Sequence, residues 1–248
     1  MIGANGKLAS QSGNFRLADL NVALLRERFI RVGHVRICPF MPDSIAESLA
    51  KALEQRSDWR MIVNAGEKIF EIDGDAAEAM GKDRLAALDT AVHEAARAGF
   101  QFRYSSIRVP DDFEARRRSP DRLCAFADFL SSLTVIELIR SITGNSAISF
   151  ADSQATRYGP GDFLTGHDDH VPGKHRHAAY VLGLTRNWRI EWGGLLLFHH
   201  EDGRVEGFAP DFNALDIFAV PQRHSVSYVT PFAGGKRHSV TGWFRSNQ

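Results

Sequence analysis

From residue 147 onward the chain breaks into short runs of β-type sequence, and this texture limits the fold more than any other feature. The runs are Ile148 to Tyr158, Ala179 to Leu184, Gly194 to His199, Val205 to Phe208, Leu215 to Val220, Ser225 to Val229 and His238 to Phe244. Turn signals at Gly159-Pro160, Asp202-Gly203, Pro210-Asp211, Pro221 and Gly234-Gly235 separate several of them. Closely spaced strands of this kind close into two packed sheets, a jelly roll or double-stranded β-helix of the cupin type. The first 145 residues carry apolar positions at helical spacing in Leu17 to Phe29, Ile45 to Leu53, Leu85 to Ala98 and Leu123 to Ile142, with short strands expected at Trp59 to Val63 and Lys68 to Ile72. The expected class is mixed α and β. Residues 1–145 form a mainly helical buttress packed against the major sheet, and residues 146–248 form the jelly-roll core, all within one domain spanning 1–248.

At 248 residues and 44% hydrophobic, the chain can bury a substantial core. Thirty basic residues balance thirty acidic ones, so no global field attracts nucleic acid or an anionic membrane, and neither partner is expected. Of the two local basic runs, Arg116-Arg117-Arg118 reads as a solvated loop or helix face. Lys174-His175-Arg176-His177 lies near the histidine cluster described below, where it could meet a substrate. Cys38 and Cys124 are too few for a disulfide framework, and the N-terminus shows no secretory signal pattern, so a reducing cytoplasm is expected. No run approaches 18 consecutive apolar residues, which excludes a spanning helix on length.

His167 and Asp169 carry the chemistry. On extended backbone, residues two apart face the same side with alpha carbons about 6 to 7 Å apart, so both side chains can converge on one ion. Spacing alone is weak evidence, because ten histidines and thirty acidic residues give about one such pair by chance. Two further pairs exist, His199 with Glu201 and His200 with Asp202, but both run into Asp202-Gly203, which reads as a hairpin turn. Eight of the ten histidines crowd between residues 167 and 238. One more imidazole completes a 2-His-1-carboxylate facial triad, the arrangement that leaves open positions on non-haem Fe(II). His224 opens a late strand and is the preferred third ligand. His238 is its rival, but it faces away from any pocket that Arg237 enters, because neighbours alternate along a strand.

The stretch from Gln154 to Phe244 resembles the Fe(II)- and 2-oxoglutarate-dependent dioxygenases, most closely their prolyl hydroxylase branch and its ribosomal-type group. The matching elements are Tyr158-Gly-Pro-Gly-Asp-Phe-Leu164 before His167-Asp-Asp169, then Leu184-Thr-Arg-Asn-Trp188 and Trp192-Gly-Gly-Leu-Leu-Leu-Phe198. Pro210-Asp-Phe-Asn-Ala-Leu-Asp-Ile-Phe218, His224-Ser-Val226 and Arg237-His-Ser-Val-Thr-Gly-Trp-Phe244 follow in order. The resemblance implies a single catalytic domain in which His167, Asp169 and His224 ligate Fe(II). Arg237 holds the distal carboxylate of the cosubstrate 2-oxoglutarate, helped by Thr241 and Tyr158. It further implies O2 as oxidant, release of succinate and CO2, ascorbate for reactivation, and a prolyl residue of a peptide or protein as the hydroxylated group, with a small-molecule substrate as the other possibility. Retention of Asp169 argues against a halogenase variant. One departure stands out: Val181-Leu-Gly-Leu-Thr185 replaces the family's Tyr-Tyr-Leu-Asn segment, so Gly183 falls where a cosubstrate-binding tyrosine is common. Either Tyr158 alone supplies the phenol or the pocket is roomier. From the residues alone, a cupin-like divalent-metal hydrolase or isomerase that does not use 2-oxoglutarate stays open.

Overall fold

A computed structural model describes residues 15–247; the N-terminal segment, in which no signal pattern was read, lies outside them. In chain order the elements are α1 (Val22–Val32), β1 (His34–Ile37), α2 (Asp43–Glu54), β2 (Arg60–Ala65), β3 (Lys68–Ile72), α3 (Gly74–Ala96), β4 (Phe102–Arg108), α4 (Phe113–Arg118), α5 (Arg122–Leu130) and α6 (Leu133–Thr143). The β half follows with β5 (Phe150–Ala151), β6 (Gln154–Tyr158), β7 (Phe163–His167), β8 (Arg176–Leu184), β9 (Leu196–His199), β10 (Val205–Phe208), β11 (Phe212–Ala219), β12 (His224–Val226) and β13 (Arg237–Arg245). The strands hydrogen-bond in the order β1-β11-β8-β13-β6-β4-β7-β12-β9-β10, all antiparallel. This curled sheet is the double-stranded β-helix expected from the sequence.

Alternation along the strands divides the sheet into two environments. On β8, Ala178, Tyr180, Leu182 and Leu184 face the helices, where they pack with Leu49, Leu53, Leu123, Phe126, Leu130, Ile139 and Ile142. Ala179 and Val181 face the other way, toward Leu196, Phe198 and Phe218. The N-terminal helices therefore seal one face of the major sheet and leave the concave face for chemistry. Leu182 is fully buried in the helix-facing core. Truncating it to alanine should cost about 2–5 kcal/mol of stability, measured by urea unfolding, because the rigid sheet collapses little around the void.

Four features differ from the sequence reading. The run Leu123 to Ile142 forms two helices, α5 and α6, because the Ser131 hydroxyl leaves the helical pattern to pair with both the N–H and C=O of Ala151 on β5. α3 begins well before Leu85, capped by Asp73, and carries Gly81 at a φ of 72° within it. Strands β1 and β4 were not expected, yet β4 bridges the two halves of the sheet by pairing with both β6 and β7. Arg116 also departs from a solvated face: it is buried on α4 against Asp128 at 3.0 Å.

Candidate metal centre and cosubstrate pocket

His167 ends β7, and His224 opens β12 directly opposite it in the strand register. Their rings lie 4.1 Å apart, centroid to centroid. Asp169 closes the group: its Oδ1 is 3.4 Å from His167 Nε2 and its Oδ2 is 3.4 Å from His224 Nε2. These three make up the one group of potential metal ligands found among the described residues. The pair 167/169 does not lie on continuous strand, as its spacing had suggested. Asp169 adopts a φ of 63°, a left-handed conformation that aspartate tolerates better than most residues, and this turn swings the carboxylate back over β7. Asp168 is exposed, and its carboxylate accepts from the His170 N–H.

Both imidazoles are oriented the same way. His167 Nδ1 lies 3.0 Å from the Thr165 carbonyl and His224 Nδ1 lies 2.8 Å from the Gln222 carbonyl. A carbonyl can only accept, so each Nδ1 carries the proton and each Nε2 presents a lone pair to the centre. Burial, joined by the neighbouring His167 ring, pulls the His224 pKa down to about 4 and keeps the ring neutral. For Asp169, burial pushes upward, but the adjoining His167 and His224 rings and the Trp243 indole outweigh it and hold the carboxyl below its usual range. Two lone pairs and an anion facing one point repel each other unless a cation sits between them. Ligands about 2.1 Å from one ion, set at right angles, lie about 3 Å apart, close to the spacing found here. The residues present fit a divalent metal.

These ligands border a cavity of about 420 Å³. Arg237, Ser239, Thr241 and Trp243, alternate residues of β13, all line it. Arg237 is 4% exposed, and Nη1 donates to the Gly194 carbonyl at 2.8 Å while Nε has no partner. Its guanidinium carbon lies 5.4 Å from the Tyr158 ring centroid. No carboxylate lies within ion-pair distance of it among the described residues. Asp216, the buried acid that acts on it, is already held bidentately by Arg36 at 2.7 and 2.8 Å. A buried guanidinium without a counter-ion is costly, and an incoming carboxylate supplies the missing charge. Tyr158 stacks on Tyr104 at 5.3 Å, and burial raises its pKa well above the usual tyrosine range, so it remains a neutral phenol donor.

The other sequence candidates fall as follows. His238 points to the opposite face, against Trp59 at 5.7 Å, as alternation requires. His199 turns to the Ser225 hydroxyl at 2.8 Å, and His200 lies 3.9 Å from Glu206 across the β9–β10 hairpin, whose turn holds Gly203 at a φ of 83°. Gly194, which opens the expected run Gly194 to His199, also anchors Arg237 through its carbonyl. Sequence reasoning missed Tyr104 and Ser239, although alternation from Arg237 to Thr241 places Ser239 on the same face.

Gly183 does not enlarge the pocket. Its pro-side-chain direction faces the Asp211 carbonyl, which would lie 2.1 Å from an added Cβ. Backbone already fills the space that a side chain would take. Gly183→Ala should therefore disturb the β8–β11 pairing and lower the melting temperature, and Gly183→Tyr should not supply a second phenol; thermal unfolding and cosubstrate affinity report the two effects.

Residues 153–245 match the 2OG-Fe(II) oxygenase superfamily. No curated protein matches the chain. Among solved structures, a prolyl-4-hydroxylase of Pseudomonas putida is 19% identical with a TM-score of 0.58, covering 91% of this chain and 99% of its own. A prolyl hydroxylase from Trichoplax adhaerens, in complex with a hypoxia inducible factor oxygen degradation domain peptide fragment, is 18% identical with a TM-score of 0.61 over 91% of this chain and 89% of its own. An oxidoreductase of the 2OG-Fe(II) oxygenase family from Burkholderia pseudomallei is 15% identical with a TM-score of 0.58, covering 94% and 95%. At these identities the neighbours show the fold, whereas the matched segment contains the His167-x-Asp169…His224 triad and Arg237. Over this segment, which carries the converging triad and Arg237 on the curled sheet, the chain is similar to the 2OG-Fe(II) oxygenase superfamily.

Proposed function

We propose that the protein hydroxylates a C–H bond of a prolyl residue in a peptide or protein, as an Fe(II)- and 2-oxoglutarate-dependent dioxygenase that releases succinate and CO2. The observation that carries this reading is the unpaired, buried Arg237 in the same cavity as the triad. A desolvated guanidinium without a carboxylate partner is suited to receive one, and the distal carboxylate of 2-oxoglutarate supplies it. Iron bound with 2-oxoglutarate and O2 supplies the oxidising power needed to break an unactivated C–H bond.

The chain's own residues do the positioning. His167, Asp169 and His224 would hold the metal and, as three ligands, would leave positions open for the cosubstrate and O2. Arg237 takes the distal carboxylate through paired charge-assisted bonds, with the phenol of Tyr158 and the hydroxyl of Thr241 within the same cavity. Val181, Leu196, Phe218 and Val226 form apolar walls that keep water away from the centre. Trp243, Phe102 and Tyr104 offer flat apolar surface suited to a pyrrolidine ring, and the exposed side chains of Ile69, Phe100 and Val171 give the mouth an apolar rim for a longer chain. Two of the structural neighbours are prolyl hydroxylases, one of them with a peptide bound. The reading also places the protein in a reducing cytoplasm, with ascorbate keeping the metal ferrous.

Mass spectrometry of proline-containing peptides and of cell lysate, incubated with enzyme, Fe(II), ascorbate and 2-oxoglutarate, tests the substrate. A gain of one oxygen at proline, dependent on both iron and 2-oxoglutarate, is expected. Oxygen gain confined to other residues or to small molecules would remove the prolyl assignment and leave the oxygenase intact.

A further inference from the structure

We propose that a groove lined by Arg108, Lys174, Arg176 and Arg245 seats an acidic segment of the peptide substrate, next to the residue held at the metal. The inference rests on the peptide reading above and adds a charge preference to it.

The groove is continuous with the catalytic cavity. Gln154, Arg176 and Trp243 line both, and beyond them the groove opens to about 510 Å³. Trp243 borders the metal cavity on one side and the groove on the other. A chain with one residue at the metal thus has a path for its next residues past Trp243.

The charges in this groove are unbalanced. Its four cations face two carboxylates, Asp111 and Asp152. Asp152 is already committed, with one oxygen accepting from the Trp243 backbone N–H at 2.8 Å and the other from Arg245 at 3.1 Å. Arg108 pairs with Glu71 at 2.6 Å. Lys174 and Arg176 have no carboxylate within ion-pair distance among the described residues. The whole chain is neutral, so this local excess is not a consequence of a basic protein.

Arg176 is held as if for a ligand. Its guanidinium carbon lies over the Trp243 ring, 3.5 Å from the centroid, Nη1 donates to the Asp169 carbonyl at 3.2 Å, and Nε is buried without a partner. It also stands directly across from Arg245 in the β8–β13 register. Like charges in facing positions destabilise a sheet; Asp152 acts on both arginines and Asp169 on Arg176, but Asp152 also serves the Trp243 N–H and Asp169 faces the two imidazoles. A further carboxylate arriving in the groove relieves that repulsion and satisfies the open donor.

An acidic peptide fits this groove better than a nucleic acid. The face of Trp243 on which a base could stack is covered by Arg176, so the groove offers no stacking platform of the kind that single-stranded nucleic acid uses.

The test uses the full-length enzyme loaded with Mn(II) and 2-oxoglutarate, and fluorescence anisotropy of labelled peptides. One peptide carries proline flanked by Asp and Glu; others replace these acids with Asn and Gln, or with Lys, and a fourth keeps the acids but replaces proline by alanine. The acidic proline peptide should bind about tenfold tighter than the neutral one, and the margin should shrink as salt rises. Lys174→Glu, at an exposed position, should reverse the order so that the Lys-flanked peptide binds best, a gain that misfolding cannot produce. Equal binding of acidic and neutral peptides, an unchanged order in Lys174→Glu, no binding of any peptide, or tighter binding of a single-stranded RNA oligonucleotide would each overturn the proposal. If the acidic alanine peptide binds as well as the acidic proline peptide, the prolyl reading fails while the charge preference stands.

Discussion

Replacing Asp169 with alanine should abolish 2-oxoglutarate-coupled turnover, whereas replacing the adjacent Asp168 should leave iron binding intact. Asp169 places one oxygen 3.4 Å from each ligating imidazole and is the only anion of the three ligands. Removing groups that merely orient metal ligands costs about 10- to 100-fold in metal affinity or activity, so loss of the anionic ligand itself should cost about a hundredfold or more. Asp168 instead caps the His170 N–H at the surface, and its loss should be felt as a small local effect. Metal content after gel filtration and succinate formation read the two variants. Equal loss in both would mean that the carboxylate register is wrong.

The second large effect belongs to Arg237. Charge-assisted hydrogen bonds contribute about 1.5–3 kcal/mol, so Arg237→Ala should raise the KM for 2-oxoglutarate by about 10- to 150-fold. Arg237→Lys should fall between, because an ammonium keeps the charge but not the planar pair of donors. Folding should survive, since the guanidinium is buried without a counter-ion and its removal takes away a desolvation cost. Melting curves separate binding from folding. At about 100 times its Kd, 2-oxoglutarate should add about 2.7 kcal/mol to the metal-loaded wild type, and far less to Arg237→Ala at the same concentration. Turnover that is indifferent to Arg237→Ala, together with no thermal shift on adding 2-oxoglutarate, would favour the divalent-metal hydrolase or isomerase instead.

Much of this site was legible in the sequence because the β half alternates. β10 runs from Val205 to Phe208 as the sequence implied, β8 and β13 extend the expected runs by a few residues, and β11 starts three residues before the expected run and stops one short of its end. Alternation placed Arg237, Thr241 and Trp243 on one face and His238 on the other, and the structure agrees. β4 was illegible for a physical reason. In Phe-Arg-Tyr-Ser-Ser-Ile-Arg, strand pairing on both edges holds the segment in the sheet, while Phe102 and Tyr104 line the pocket and Arg103 pairs with Asp89 and Asp162, so neither face is uniformly apolar. The helix break at Ser131 likewise depends on Ala151, a partner 20 residues away that local periodicity does not contain.

Two readings reached the right residues or question by an incomplete route. Strand spacing singled out His167 and Asp169, yet the convergence comes from the left-handed turn at Asp169 after β7 has ended. Gly183 was noticed as a departure, but its meaning depends on the Asp211 carbonyl, which is brought beside it by the irregularity in β11 between Phe212 and Ala214. In both cases a backbone deviation from regular strand decides the outcome, and residue type gives only a hint of it.

Anaerobic titration of the folded protein with Fe(II) and 2-oxoglutarate tests the central claim most directly. A weak visible metal-to-ligand charge-transfer band should appear, saturate at one iron per chain, and be missing in Asp169→Ala. A folded, iron-loaded wild type that shows no such band at saturating 2-oxoglutarate would contradict the account.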